Sequence, residues 1–426
     1  MGDDVMANHT ISGARGFLAA GVHCGIKKSG RLDLGLLVCP TGAKAAAVFT
    51  TNKITSAAVQ ISKKHIASSE IYAVVVNSGN ANACTGHAGV KDAAQMCAVT
   101  ARGLNEQGTR LLHFARNDEQ YAIRRTQCAA RDVLVASTGI IGERLPIKKV
   151  TAGIAKAAGK LSSSAAAGLD FAKAIMTTDT RPKQAVRQLS AGTEVTIAGA
   201  VKGVGMIAPN MATTLCFITT DAAISKPLLR QALKSAIGNS FNKLTVDGHQ
   251  STNDTAIILA SGLAGNRPMA KNDRRYQRFA GALTDLCDDL VRQMALDAEG
   301  ATRMFKVIVK GAATKAEARK AARAIADYPL VKCAVHGADP NWGRIICAAG
   351  SAGVRLNPAK LSCNLDNIAV FKNGSPRRFD PKKASKVVLQ TCHTITVDLG
   401  VGQSCDFCYG CDLSGEYVKI NAAYHT

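Results

Sequence analysis

The sequence predicts a layered α/β (α+β) fold in which mixed sheets are flanked by helices. Short apolar runs of strand character alternate loosely with Ala-rich helical segments. Hydrophobic residues make up 47% of the 426 and charged residues 20%, the balance of a globular chain with a sizeable core. Aromatics are only 4%, so Ala, Val, Ile and Leu must fill that core.

In chain order, residues 35–59 read as strand material with a Pro40-Thr41-Gly42 turn. Ala73–Val76 is a buried strand that runs into a polar, Gly-containing loop. Residues 104–131 are basic and weakly patterned, a helix and a loop. "VLVASTGIIG" is a second apolar strand ending in a Thr-Gly turn, and Ala-rich helices fill 148–175. Residues 193–203 read as a strand, and a β-rich run extends from about Thr213 to Thr219. Ser225-Lys226-Pro227 opens a helix whose apolar stripe is Leu229, Leu233, Ile237 and Phe241. A further helix carries Leu283, Leu286, Leu290 and Met294 and stops near Gly300. "MFKVIVKG" is a strand, and Thr314 with Glu317 forms a capping box for a helix to about Tyr328. The tail, 385–421, reads as strands: "KVVLQ", "TITVDLG" and "YVKINAAY".

Composition narrows the function classes. No run of about 18 apolar residues occurs, so no membrane span is expected. The start carries Asp3 and Asp4, and the apolar stretch Gly16–Ile26 is broken by His23 without a cleavage signal. A strand there, rather than a signal peptide, is expected. The 14 Cys are scattered, several within apolar runs (Cys39, Cys216, Cys347), as suits reduced thiols in a cytoplasmic protein. Lys and Arg number 53 against 31 Asp and Glu, a net charge of +22. That charge is dispersed in pairs such as Arg124–Arg125 and Arg377–Arg378, without a nucleic-acid motif, so a solvated basic surface is expected.

The most unusual stretch is Lys202–Asp221, "KGVGMIAPNMATTLCFITTD". Gly203 and Gly205 permit close backbone approach, and Pro209 and Asn210 suit a tight turn. Ala212 is small, and Thr213 opens the apolar run. A hydroxyl at the mouth of a strand, behind a Gly/Pro loop, is a place for a nucleophile. On spacing alone, a Thr-rich buried strand after a turn is the favoured reading.

"GMIAPNMAT" followed by "TTDA" resembles the self-cleavage segment of the ornithine acetyltransferase (glutamate N-acetyltransferase) family. Further segments resemble that family in order: "GFLAAGVHCGIK", "AVFTTN", "VVVNSGNANACTG", "ASTGIIG", "AIMTTDTRPKQ", "STNDT", "DAEGAT", "LVKCAVHGADPNWGR", "NGSP" and "YVKINAAYHT". The resemblance implies the fold of the self-processing aminopeptidases and ornithine acetyltransferases. It implies a break between Ala212 and Thr213, giving an α chain (1–212) and a β chain (213–426) that assemble as a heterotetramer of two each. Thr213 is then the N-terminal nucleophile, its freed α-amine the base for its own hydroxyl. Thr214 is the alternative register, disfavoured because the nucleophile follows the small Ala. Thr138 and Gly139 match the oxyanion hole, and Gly139 lets an N–H approach developing charge without a Cβ in the way. Thr177, Lys202, Thr213, Glu299, Asn421 and Thr426 match substrate-binding positions. Lys202 would meet a carboxylate and Glu299 the δ-ammonium of ornithine.

The implied reaction is acetyl transfer from N2-acetylornithine to glutamate by a ping-pong route, without metal or organic cofactor. Acetyl-CoA as a co-substrate stays open. The chain departs from the family at Val204, at His249 and Gln250, and in the long basic stretch 104–131. Alternatives are a self-processing aminopeptidase or amidase that hydrolyses rather than transfers, and a basic nucleic-acid-binding protein. "CDFCYGC" (Cys405, Cys408, Cys411) has metal-ligand spacing but lacks a second CxxC, so no metal is expected there. His336 is expected to be a satisfied loop histidine.

Overall fold

A computed structural model describes residues 10–108, 127–190, 193–207 and 214–423. Ala212, Thr213, Thr426 and most of the basic stretch 104–131 lie outside these. Among the described residues the chain forms two mixed sheets with helices against them, the layered α/β arrangement expected.

The first sheet takes β1 (Leu18–Val22), β2 (Leu34–Phe49), β3 (Ile71–Asn80), β4 (Val133–Ile140), β5 (Lys183–Ser190), β6 (Glu194–Lys202), β7 (Leu215–Thr220) and β8 (Thr255–Ala260). Its order is β4-β3-β2-β8-β7-β6-β5, with β1 paired to β2. Every residue of β7 and β8 is buried, which is why both read as unbroken apolar runs rather than alternating ones. The helix Arg274–Leu296 packs with Lys226–Asn239 over one half of the sheet, burying Phe279, Leu283, Leu286 and Leu290. Helices Ala57–His65, Gly86–Glu106 and Ile147–Ala158 cover the other half. On the opposite face, Phe171 of helix Ala165–Ala174 meets Phe217 of β7 edge-on, ring centroids 5.4 Å apart.

The second sheet takes β9 (Met304–Ala312), β10 (Ser362–Leu365), β11 (Ile368–Lys372), β12 (Ser375–Pro376), β13 (Cys392–Asp398) and β14 (Ser404–Cys411), in the order β12-β11-β10-β13-β9-β14. Helix Lys315–Asp327 lies on it through Ala318, Ala322 and Ile325, capped by the Thr314 hydroxyl, which accepts from the Glu317 N–H at 3.2 Å.

Five local expectations are corrected. Pro40-Thr41-Gly42 is not a turn between two strands. It is a bulge within β2, whose register shifts between Val38 and Ala43 so that one strand serves β3 at one end and β8 at the other. Polar residues 77–80 continue β3 rather than forming a loop, and Thr138-Gly139 lies within β4, because the two strands pair in parallel through Gly79↔Gly139. Residues 381–388 are helical: the Asp380 carboxylate accepts from the N–H groups of Lys382 and Lys383, and Pro381 occupies the first turn. Gly415–Ala423 is also helical, started by Ser414, whose hydroxyl accepts from the Glu416 N–H at 3.1 Å. β-branched residues suggested strands in both places, and local capping overrode that preference.

In β13, His393 is buried against Phe305, and neither ring nitrogen has a hydrogen-bond partner. Burial pushes its imidazole down to about 4. A folded-state value below the unfolded one means that the unfolded chain binds more protons between the two. Stability is therefore full above about pH 6.5 and falls as the pH drops through 4, by roughly 3 kcal/mol for this group. His393→Leu should lose less of its unfolding midpoint between pH 7 and pH 4.5 than the parent protein does. Equal acid sensitivity of the two would contradict this.

Candidate active site

The C-terminal ends of β3, β4 and β6 and the first residues of β7 and β8 come together at one edge of the large sheet. They enclose a cavity of about 270 Å³. Parallel pairing sets this up: β3 with β4, and β7 with β8, each bring two like ends to one place.

Thr138 and Gly139 line the cavity from β4. Gly139 has φ 129°, and a Cβ there would sit 2.3 Å from the Gly79 carbonyl carbon and 2.5 Å from the Asn80 nitrogen. Only glycine allows this approach. The segment is clamped by Asn253, whose Nδ2 donates to the carbonyls of Ala81 and Ser137, each at 2.7 Å. A side chain just before β8 thus fixes the backbone on either side of the Thr138-Gly139 pair.

Glu299, after helix Arg274–Leu296, points into the cavity with both oxygens engaged. The Thr178 hydroxyl donates to Oε1 at 2.6 Å, and Asn421 Nδ2 donates to Oε2 at 2.9 Å. Gly205 makes room for it: a Cβ there would lie 2.4 Å from Oε2. Two hydrogen bonds hold the carboxylate in place before any cation arrives.

Lys202, the last residue of β6, is the cation among these acids. Burial pushes its ammonium pKa down, and Asp179, Asp254 and Glu299 oppose that shift. Below it, Asp179 accepts from the Thr177 N–H at 2.9 Å, the Gly203 N–H at 3.0 Å and Lys183 Nζ at 2.7 Å. Burial works against the Asp179 charge, but Lys183 and Lys202 outweigh it and hold the carboxyl below its usual range. Lys183 is itself completely buried and also pairs with Asp297 at 2.5 Å. This ionic layer supports both the Thr177 segment and the Gly203 turn.

The loop after β6 is fastened by Asp247, which accepts from the N–H groups of Met206 at 2.6 Å and Ile207 at 2.9 Å. Met206 has φ 54°, strained for a side-chain-bearing residue. The Tyr417 hydroxyl donates to the same carboxylate at 3.2 Å, and Tyr417 lies one turn from Asn421 on the C-terminal helix. Two polar atoms in the wall are buried without partners, Thr214 Oγ1 and Asp254 Oδ2.

Of the residues singled out from sequence, Thr138, Gly139, Thr177, Lys202, Glu299 and Asn421 all meet here. Ala212, Thr213 and Thr426 lie outside the described residues, and Thr214, next along the chain from Thr213, borders the cavity. Sequence reasoning missed the roles of Thr178, Asp179, Lys183, Asp247, Asn253 and Asp254. "STND" ahead of an apolar run was the available signal for the last two. His336 lies away from the cavity, its Nδ1 2.8 Å from Asp412 Oδ2. Cys408 and Cys411 pack into different cores of the molecule. Among the described residues no three His, Cys, Asp or Glu side chains cluster as metal ligands.

A model of the ArgJ family matches residues 18–426. The chain belongs to the ArgJ family. It is 44% identical over 426 residues to the arginine biosynthesis bifunctional protein ArgJ of Dehalococcoides mccartyi, covering 99% of each chain. Solved relatives include the ArgJ protein of Bacillus halodurans, at 40% identity and TM-score 0.48, over 49% of this chain and 98% of that one. The ornithine acetyltransferase of Mycobacterium tuberculosis, solved with ornithine, shares 36% identity at TM-score 0.40, over 48% of this chain and 96% of that one. Membership in the ArgJ family accounts for the order of the sequence segments that resemble it.

Lys183→Met strips the cation from two buried carboxylates and should destabilise the protein by about 3–5 kcal/mol. Adding Asp179→Asn and Asp297→Asn should restore much of that loss in denaturant unfolding. No recovery would mean that lost packing, rather than unpaired charge, sets the cost.

Proposed function

We infer that this chain is an acyltransferase of arginine biosynthesis that moves an acetyl group from N2-acetylornithine to glutamate. The observation that carries the reading is the composition of the cavity wall. Thr138, Gly139, Thr177 and Lys202 precede the Ala212–Thr213 bond, whereas Glu299 and Asn421 follow it. A pocket built from both sides of one peptide bond suits an enzyme assembled by its own cleavage there.

In this reading Thr213 Oγ attacks the carbonyl of Ala212, the ester hydrolyses, and Thr213 becomes the first residue of a β chain, 213–426. The α chain, 1–212, stays bound because β7 and β8 are intercalated between β2 and β6. The freed α-amine, with a reference pKa of about 7.7–8, is neutral in a useful fraction of molecules at physiological pH, and in that form it takes the Thr213 hydroxyl proton. Oγ then attacks the acetyl carbonyl of N2-acetylornithine. Negative charge collects on the acetyl oxygen, where Thr138 and Gly139 donate to it. Collapse expels ornithine and leaves acetyl on Thr213; glutamate attacks in turn and departs as N-acetylglutamate.

Lys202 suits the substrate carboxylate and Glu299 the δ-ammonium of ornithine, with Thr177, Asn421 and Thr426 completing the binding set. The chemistry assigned to Thr213 calls for no metal or organic cofactor. Acetyl-CoA is a candidate second donor. The assembly expected is a cytoplasmic heterotetramer of two α and two β chains.

On a denaturing gel the active protein should run as two bands of similar size, and Thr213→Ala as one inactive band. A single band near 44.5 kDa from active protein would overturn the cleavage. Consumption of N2-acetylornithine should require glutamate; undiminished consumption without it would favour an amidase. Gly139→Ala keeps the N–H but drives a Cβ against the Gly79 and Asn80 backbone, and the displaced donor should cut transfer by about 10²–10³.

A further inference from the structure

The proton inventory of the reaction has a gap. Glutamate arrives with its α-amine as an ammonium, which must lose one proton before it can attack and a second as the amide forms. The Thr213 amine can receive the second and return it to Oγ as the ester C–O bond breaks. It cannot also hold the first.

We propose that Asp254 is a catalytic residue, the second proton acceptor, which takes the first proton from the incoming ammonium. This deepens the reading of an acetyl-Thr213 enzyme and rests on it. Asp254 lines the cavity, is 2% exposed, and its Oδ2 has no hydrogen-bond partner. An unpartnered oxygen in a buried carboxyl is costly, and a substrate N–H would satisfy it.

Its place in the sheet is the second argument. β7 and β8 run parallel with Leu215 opposite Thr255, and the Thr255 N–H donates to the Thr214 carbonyl at 2.8 Å. Asp254 therefore stands at the level of Thr214, which follows the assigned nucleophile in sequence. Burial also raises its pKa well above the ordinary carboxylate value, against the influence of Lys202 and Ser251. That moves its basicity toward the range in which a carboxylate deprotonates an ammonium usefully.

The step balances. An N–H bond of glutamate breaks and an O–H bond forms on Asp254; the nitrogen lone pair then attacks the acetyl carbon. When the next ornithine leaves as a free amine, Asp254 returns its proton to give the ammonium. The carboxyl is regenerated over a full cycle with no other reactant. Lys202, Glu299, Asp247, His249 and Tyr417 are the other ionisable groups facing this cavity. The Glu299 oxygens accept from Thr178 and Asn421, and Asp247 accepts from Met206, Ile207 and Tyr417, so both are already engaged.

The test compares two acceptors in the self-cleaved enzyme: glutamate, which must be deprotonated, and hydroxylamine, which is uncharged at neutral pH. Asp254→Asn should slow transfer to glutamate by roughly 10²-fold relative to transfer to hydroxylamine, which stays within a few-fold of the parent. Equal slowing with both acceptors, or no slowing with glutamate, overturns the proposal. Should Asp254→Asn fail to fold or cleave, the unaltered enzyme decides. Its pH–rate profile should show an extra inflection with glutamate only, and identical profiles would overturn the proposal. Absence of an acetyl adduct on Thr213 by intact mass is a different result, and it removes the underlying reading itself.

Discussion

The site depends on the backbone ladder between β6 and β7. Pairs from Ile197↔Thr220 to Lys202↔Leu215 run antiparallel across it, and β7 is buried throughout while β6 is buried from Val195 to Val201, so their carbonyls and amides are satisfied within the sheet. β7 and β8 follow residue 214 in sequence, yet they sit inside a sheet whose other strands all precede it. Separating the two parts of the chain would expose both edges of that inserted pair, so a broken peptide between them leaves the sheet intact. The same ladder delivers Lys202 and Thr214 to one spot, because antiparallel strands place the end of one beside the start of the next.

Charge inside the cavity is handled in two ways. The lower layer, Asp179, Lys183 and Asp297, is closed: each carboxylate meets the buried ammonium, and hydrogen bonds from Thr177, Gly203 and Thr180 occupy further lone pairs. Such a layer is expensive to disrupt and chemically quiet. The upper layer is open. Glu299 is oriented by Thr178 and Asn421 but retains capacity for a cation, and Lys202 faces the same space, under the influence of Asp179, Asp254 and Glu299. Binding energy from ornithine or glutamate can therefore go into completing a prepared arrangement rather than building one.

Much of the candidate site was legible in the sequence through the resemblance of its segments to the ornithine acetyltransferase family, and those segments depart locally from simple packing. "GVGMIAPNMATT" is poor helix and poor strand, and "ASTGIIG" puts a glycine where an apolar strand would continue. The supporting residues were not legible. Lys183 and Asp179 read as ordinary surface charges in "TTDTRPKQ", since nothing local announces that β5 and helix Arg274–Leu296 will close over them. Asn253 acts across a gap of 116 positions to Ser137, a distance no window of sequence spans. The fold errors have a related origin: Pro40-Gly42 and Thr138-Gly139 carry turn chemistry, but strand pairing on both sides absorbed each as a bulge or a close approach.

The walls of the cavity differ in how they are held. Those formed by β4, β6, β7 and β8 belong to a continuous ladder with apolar cores on both faces. The wall formed by Gly415–Ala423 has no fully buried residue, and hydrogen bonds fasten it: Ser414 to Gly300, Tyr417 to Asp247 and Asn421 to Glu299. Local opening costs least where apolar burial is smallest, so this helix is the cheapest boundary to displace. Two of these contacts end on Asp247, which fastens the loop after β6, and on Glu299, the carboxylate proposed for the cationic end of the substrate. A cation at Glu299 competes for the oxygen that Asn421 holds, which couples occupancy of the cavity to the seating of this helix through a single shared atom.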